Sequence, residues 1–382
     1  MNILIFNVKY SKNVGDGIVA ETTEYILKTL SPDAKITTMD IGGRTDYGTT
    51  GLRTTSGLKK IMHKILFVLP ERISDYIRIF LTQTALKKQI IPRWHDVMSK
   101  CDRIIIGGGQ LISDTDLYFP IRLHAVIKLA QQLKKPVYIH AVGVSNPDAW
   151  RYAGKKLLTG CFKNNHTIKY ISVRDTLSQS YWKGAFNSSA VVCPDTGNFA
   201  CNAYDIKKRT TDNRHIGISV TGTDVLTSHT SFGDKPVFVS VRQYYDLGLS
   251  LIDAGYTPCF FTNGATEDNI VLNAVKELSK DNPKIKFFNP PHTASDLVQI
   301  IAGCDKIIAH RLHACIVATS LNIPAIGLVW DKKLTSYFES LNAGHHLHFT
   351  FDISKIISTL DTLSVIPYDY NINIYDPLIQ NN

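Results

Sequence analysis

The residues best placed to do chemistry are His310, Arg311 and His313, in the run His310-Arg311-Leu312-His313-Ala314. A short apolar stretch, Lys306-Ile307-Ile308-Ala309, precedes them, and a longer one, Cys315 to Leu321, follows. This pattern predicts a strand, a cationic turn and a buried helix, with a further strand from Pro324 to Val329. A helix start presents unpaired N–H groups and the positive end of the helix dipole, so cations gathered there would meet an anion. Charge between apolar segments is costly unless something negative faces it.

Other candidates also lie at predicted strand ends. Arg174 follows the strand Tyr170-Ile171-Ser172-Val173, and its competing reading is an ion pair with Asp175. Lys332 and Lys333 follow the strand that ends near Trp330; solvation at the surface is expected for one of them. The Asn263-Gly264 turn with Glu267 and Asp268 reads first as a capped turn. Asn13, Gly15 and Asp16 form a loop at a helix start, where an N-cap competes with a ligand role. Gly107, Gly108 and Gly109, followed by Gln110 and Asp114, allow close backbone approach to a ligand or of a helix to a strand.

These motifs need a scaffold, and the chain alternates strand and helix patterns throughout. Strands are expected at Asn2–Val8, Lys35–Asp40, Arg103–Ile106, Pro136–Gly143, Tyr170–Asp175 and Ala190–Cys193. After a polar stretch from Tyr204 to Arg214 (Lys207, Lys208, Arg209, Asp212, Asn213) the alternation restarts at Ile216. The expected fold is α/β, with two Rossmann-like domains whose parallel sheets face a central cleft. Residues 1–205 would form the first domain and 215–345 the second, with 346–382 a tail that packs back on the first.

The 382 residues carry 42 Lys and Arg against 33 Asp and Glu, a net charge of +9. That favours an acidic partner. No nucleic-acid motif accompanies the charge, so nucleic acid ranks last. The seven cysteines are odd in number and scattered, which argues against zinc or disulfides. No signal peptide or 18-residue apolar run is evident, and a cytoplasmic protein is expected. Within the insertion at about 58–100, nine cations (Lys59, Lys60, Lys64, Arg72, Arg78, Lys87, Lys88, Arg93 and Lys100) face three acids beside wide apolar stretches. A basic amphipathic helix of this kind can lie on the inner face of an anionic membrane, and the competing reading is a helix packed on its own domain.

Taken in order, Asn13-Val14-Gly15-Asp16, Ile106-Gly107-Gly108-Gly109-Gln110-Leu111 with Asp114, Ser172-Val173-Arg174-Asp175 with Ser178, Asp195, and Arg311-Leu312-His313-Ala314 resemble the polysaccharide pyruvyl transferase family. The chain departs from it at Thr196, where Pro is expected, and at His310, where a small residue is expected. The resemblance implies a GT-B-like fold. It also implies transfer of the enolpyruvyl unit of phosphoenolpyruvate onto two hydroxyls of a sugar in a surface-polysaccharide precursor, with a lipid-linked acceptor and release of phosphate. Arg174, Arg311, Leu312, His313, His310, Lys332 and Lys333 would bind phosphoenolpyruvate. His313 would act as acid, with Asp16 as base. Asn13, Gly15, Asp16, Gly107, Gly108, Gly109, Gln110 and Asp114 would serve the acceptor. No metal and no cofactor beyond this co-substrate is implied. The rival readings are a GT-B glycosyltransferase using a nucleotide sugar, and a non-catalytic glycan- or anion-binding protein.

Overall fold

The computed structural model describes residues 1–49, 51–52, 69–114, 116–206, 214–228, 238–369 and 371–380. The chain forms two compact units. The first comprises Met1–Tyr10, Thr23–Asp195 and Asn371–Asn382; the second comprises Ser11–Thr22 and Thr196–Tyr370.

The first unit holds strands β1 (Asn2–Asn7), β2 (Lys35–Asp40), β3 (Arg103–Gly107), β4 (Val137–Val142), β5 (Ile168–Val173) and β6 (Val191–Val192). They pair in parallel in the order β2-β1-β3-β4-β5-β6. Every residue of β3 and β4 is buried, which explains why these strands read as largely apolar runs rather than alternating ones. Their side chains join a core with Trp94, Trp182 and Phe186.

The second unit holds β7 (His215–Ser219), β8 (Thr257–Phe261), β9 (Lys286–Phe287), β10 (Lys306–Ala309), β11 (Ala325–Leu328) and β12 (Leu347–His348). All pair in parallel, in the order β12-β11-β10-β7-β8-β9. The strand order reverses between β7 and β10, and in open parallel sheets ligands bind beyond the carboxyl ends of the strands at such a reversal. Arg311 lies two residues past the end of β10.

The expected boundaries need correction. The second unit starts at Thr196 and continues through Tyr370, well beyond residue 345. It does so because β12 adds to β11, with Gly327 opposite Leu347, and because the helix Ile353–Thr362 buries Ile356 and Leu360 in the same core. Only Asn371 onward returns to the first unit. There the Arg103 guanidinium donates to the carbonyls of Leu378 and Gln380, and the Tyr375 hydroxyl donates to that of Pro194.

Ser11–Thr22 was expected in the first domain and belongs to the second unit. The Val14 N–H donates to the Asn263 carbonyl (2.9 Å), and Lys12 Nζ donates to Thr266 Oγ1 (3.2 Å). Gly264, at φ +90°, supplies the close approach: a Cβ there would lie 2.8 Å from the Lys12 carbonyl oxygen.

The described part of the basic insertion is two helices, Glu71–Gln89 and Ile91–Lys100, broken at Ile90 and restarted with Pro92 in the first turn. Leu86, Trp94 and Met98 anchor them in the core. Lys59, Lys60 and Lys64, like Lys207, Lys208, Arg209, Asp212 and Asn213 of the expected linker, lie outside the described residues. Among the described residues, no helix is long and apolar enough to cross a membrane.

Candidate active site

Arg311 occupies the N-cap position of the helix Leu312–Ser320. Its side chain does not cap the helix but turns to Asp268, where Nε bonds Oδ2 (2.9 Å) and Nη2 bonds Oδ1 (2.6 Å). This is the two-pronged arrangement that makes Arg–carboxylate pairs both strong and directional. Asp268 is fully buried, and its Oδ1 also accepts the Gly222 N–H (2.8 Å) from the loop after β7. Burial pushes the Asp268 carboxyl up, while Arg311 and the Gly222 bond pull it down.

His310 does a different job from the one expected of it. It is buried to 1% exposure, stacks on Phe351 with rings parallel to within 2°, and lies 3.5 Å from the Tyr244 hydroxyl through Nδ1. Its carbonyl accepts the Trp330 indole N–H (2.7 Å). Burial, helped by the neighbouring Arg311 charge, lowers its pKa to about 3. Enclosed by Phe351 and Tyr244, the His310 ring has the contacts of a packing residue rather than of a phosphate ligand.

His313, the second residue of the same helix, lies against Gly15. A Cβ on Gly15 would sit 2.8 Å from the His313 Cβ and 2.9 Å from Nδ1, so only glycine fits beneath the ring. The contact brings His313 Nδ1 to 3.8 Å from Asp16 Oδ1, an electrostatic contact longer than a hydrogen bond. Asn13 shapes the loop by accepting the Gly15 N–H at its side-chain oxygen (3.3 Å).

Burial raises the Asp16 carboxyl above the ordinary carboxylate range, opposed by His313, a Ser11 hydrogen bond, Arg311 and Lys333. The side chain keeps 22% exposure, so it remains reachable by a ligand. Three basic side chains thus act electrostatically on one carboxylate within a single unit. Lys333 is the lysine involved: it contacts Asp331 (3.0 Å) and lies over the Trp330 ring, whereas Lys332 is exposed. Leu312 is half-buried in the first helical turn.

Residues 13–332 match the description of polysaccharide pyruvyl transferases. The chain belongs to the polysaccharide pyruvyl transferase family. Among curated proteins, the amylovoran biosynthesis protein AmsJ of Erwinia amylovora is 21% identical over 276 residues, 66% of this chain. The match spans 62% of that protein. Among solved structures, S. aureus MnaA in its UDP co-structure aligns over 99% of this chain and 94% of its own, at 12% identity and a TM-score of 0.58. A UDP-GlcNAc 2-epimerase of Methanocaldococcus jannaschii, in complex with UDP-GlcNAc and UDP, covers 99% and 98% at 11% identity, with a TM-score of 0.55. These likenesses show the fold, which is α/β and GT-B-like.

The family motifs of the first unit are largely structural in their visible contacts. Arg174 is nearly buried, bonds Asp175 through Nε (3.2 Å), comes within 4.0 Å of Asp195, and lies flat on Gly143, where a Cβ would meet the guanidinium carbon at 2.8 Å. The ion pair weighed against a ligand role is therefore present. Asp175 caps the helix Thr176–Phe186 through the Ser178 N–H (2.6 Å), and the Ser178 hydroxyl accepts the Val144 N–H (3.1 Å).

Asp114 spends both oxygens on backbone N–H groups, of Leu117 (2.9 Å) and Arg151 (2.8 Å). In these contacts it pins a loop to a helix start. Gly107 packs against the His140 carbonyl in the neighbouring strand, so its lack of a side chain serves the sheet. Gly108 and Gly109 take φ +75° and +65°, turning the chain sharply after β3, and the half-buried Gln110 follows them.

Sequence reasoning read Asn263-Gly264 with Glu267 and Asp268 first as a capped turn and did not pair Asp268 with Arg311. The signal was present: an acid two residues into a helix that follows a strand lies at the same sheet edge as the Arg311 turn.

Proposed function

We propose that this chain transfers the enolpyruvyl unit of phosphoenolpyruvate to two hydroxyls of a sugar in a surface-polysaccharide precursor. The observation that supports it best is the facing pair His313 and Asp16 beside a pre-oriented Arg311, in a member of this family.

Charged His313 protonates the methylene carbon of phosphoenolpyruvate, making the neighbouring carbon an electrophile. Asp16, held close to the imidazolium, stabilises that charge and accepts the proton of an attacking hydroxyl. Two C–O bonds form to the central carbon and its bond to the phosphate oxygen breaks. One hydroxyl proton replaces the one given to the methylene carbon, and the other leaves with phosphate. Arg311 and Lys333 hold the carboxylate and phosphate, as compact oxyanions require.

The acceptor in this reading is linked to a polyprenyl diphosphate. On the helix Glu71–Gln89, Ile73, Tyr76 and Phe80 are 50%, 68% and 69% exposed and share one face at helical spacing, with exposed Lys87 and Lys88 further along. Such a stripe suits the surface of an anionic membrane.

The test is incubation with phosphoenolpyruvate and a panel of free and lipid-linked oligosaccharides. Acceptor-dependent phosphate release, with an acid-labile carboxylate-bearing adduct on the sugar, is the expected result. Consumption of nucleotide sugars with no use of phosphoenolpyruvate would overturn the reading.

A further inference from the structure

We propose that Asp268 is a positioning residue for the donor substrate: it locks the Arg311 guanidinium in place before phosphoenolpyruvate arrives. This rests on the functional reading above and extends it to a residue that never meets the ligand in it.

An arginine at a turn has several rotatable bonds, and ordering it on binding costs affinity. Here that ordering is already present. Nε and Nη2 are both held by Asp268, and Nη1 takes part in neither bond. Asp268 is itself held in place, being fully buried and bonded to the Gly222 N–H. The packing there is close: a Cβ on Gly222 would lie 3.1 Å from the backbone of Glu267.

Asp268 therefore joins the chain leaving β7 to the chain leaving β10, the two strands that flank the reversal in strand order. Glu267, 3.9 Å from Nη2 and 48% exposed, is too distant and too solvated to replace it. Pinned at two of its three nitrogens, Arg311 presents the third in a fixed direction.

A role in folding alone predicts lower stability with unchanged kinetics. A positioning role predicts a split. The Asp268→Asn change keeps the shape and the bond from Gly222. It removes the charge and one of the two acceptors, since an amide NH2 meets a guanidinium N–H as donor against donor.

The experiment compares wild type, D268N, D268E, R311A and the D268N/R311A double variant. It measures phosphoenolpyruvate binding by calorimetry, KM for each substrate, kcat, and urea unfolding. For D268N, KM for phosphoenolpyruvate should rise by about 10-fold or more while KM for the acceptor stays put, as a lost uniform binding contact requires. D268E should recover part of the loss. In the R311A background D268N should add nothing further, the non-additivity expected of residues acting as one unit. Folded D268N with wild-type donor affinity and KM, or additive effects in the double variant, would overturn the inference. If wild type neither binds nor consumes phosphoenolpyruvate, the functional reading itself has failed.

Discussion

Replacing Gly15 with Ala should disable the site while leaving the fold nearly as stable. The added Cβ would lie 2.8 Å from the His313 Cβ, 2.9 Å from Nδ1 and 3.1 Å from Cγ. Carbon atoms in comfortable contact are about 3.5–4.0 Å apart, so the imidazole must retreat by roughly 0.7–1 Å. The Cβ contact is relieved only by a small backbone shift, which the fully buried Ala314 and Cys315 behind it resist, so the ring gives most. The ring must therefore turn away from Asp16, already at 3.8 Å. A misplacement of about 1 Å at a reacting group costs on the order of 100-fold in rate. Overpacking costs about 1–3 kcal/mol, and Ala in place of Gly in a helix returns about 0.5–1 kcal/mol. Net destabilisation should thus stay within about 2.5 kcal/mol. Gly184, inside the helix Thr176–Phe186 with nothing near its missing Cβ, is the matched control. Initial rates of acceptor-dependent phosphate release, with urea unfolding of the same samples, decide the matter. A folded G15A enzyme as active as G184A would refute the placement of His313 at the reacting centre.

Other outcomes follow from the same contacts. Lys333→Ala should raise KM for phosphoenolpyruvate by about 10-fold, the worth of one charged hydrogen bond, whereas Lys332→Ala should leave it unchanged, as steady-state kinetics of both will show. His140 and His310 each titrate near 3 when folded, because burial disfavours the charged form, against an ordinary value of 6.5. The unfolded chain then binds more protons between those values, so stability is full above about pH 6.5 and falls as pH drops. Each histidine should cost about 2 kcal/mol between about pH 7 and about pH 5, read as a falling urea midpoint. A flat midpoint over that range would contradict the burial of both rings. Tyr76→Ser with Phe80→Ser should weaken flotation with anionic vesicles severalfold without changing turnover of a soluble acceptor; unaltered flotation would remove the membrane surface from the reading.

Much of the scaffold could be read locally, because each strand and helix announces itself within ten or so residues. The β/α alternation and the two-sheet division are properties of short windows. The strand orders are not: nothing near β10 says that it pairs with β7 rather than β9, since that choice is made by packing across ninety residues. The same distinction divides the site. The cationic turn after β10 was visible because its strand and helix are contiguous with it. What each member does was not, because the deciding partners are remote in sequence. Tyr244 and Phe351 enclose His310, and Asp268 claims Arg311 from 43 residues away. Asn263 draws the Ser11–Thr22 segment, a short loop and the first turns of the helix Gly15–Leu30, out of the unit that sequence contiguity assigned it to. Two histidines three positions apart in one motif thus end with opposite characters. His310 is made neutral by an aromatic enclosure built elsewhere in the chain, and His313 faces a carboxylate from the first turn of the helix Gly15–Leu30. A motif read from sequence fixes which groups reach a sheet edge; the long-range contacts decide what each of them meets there.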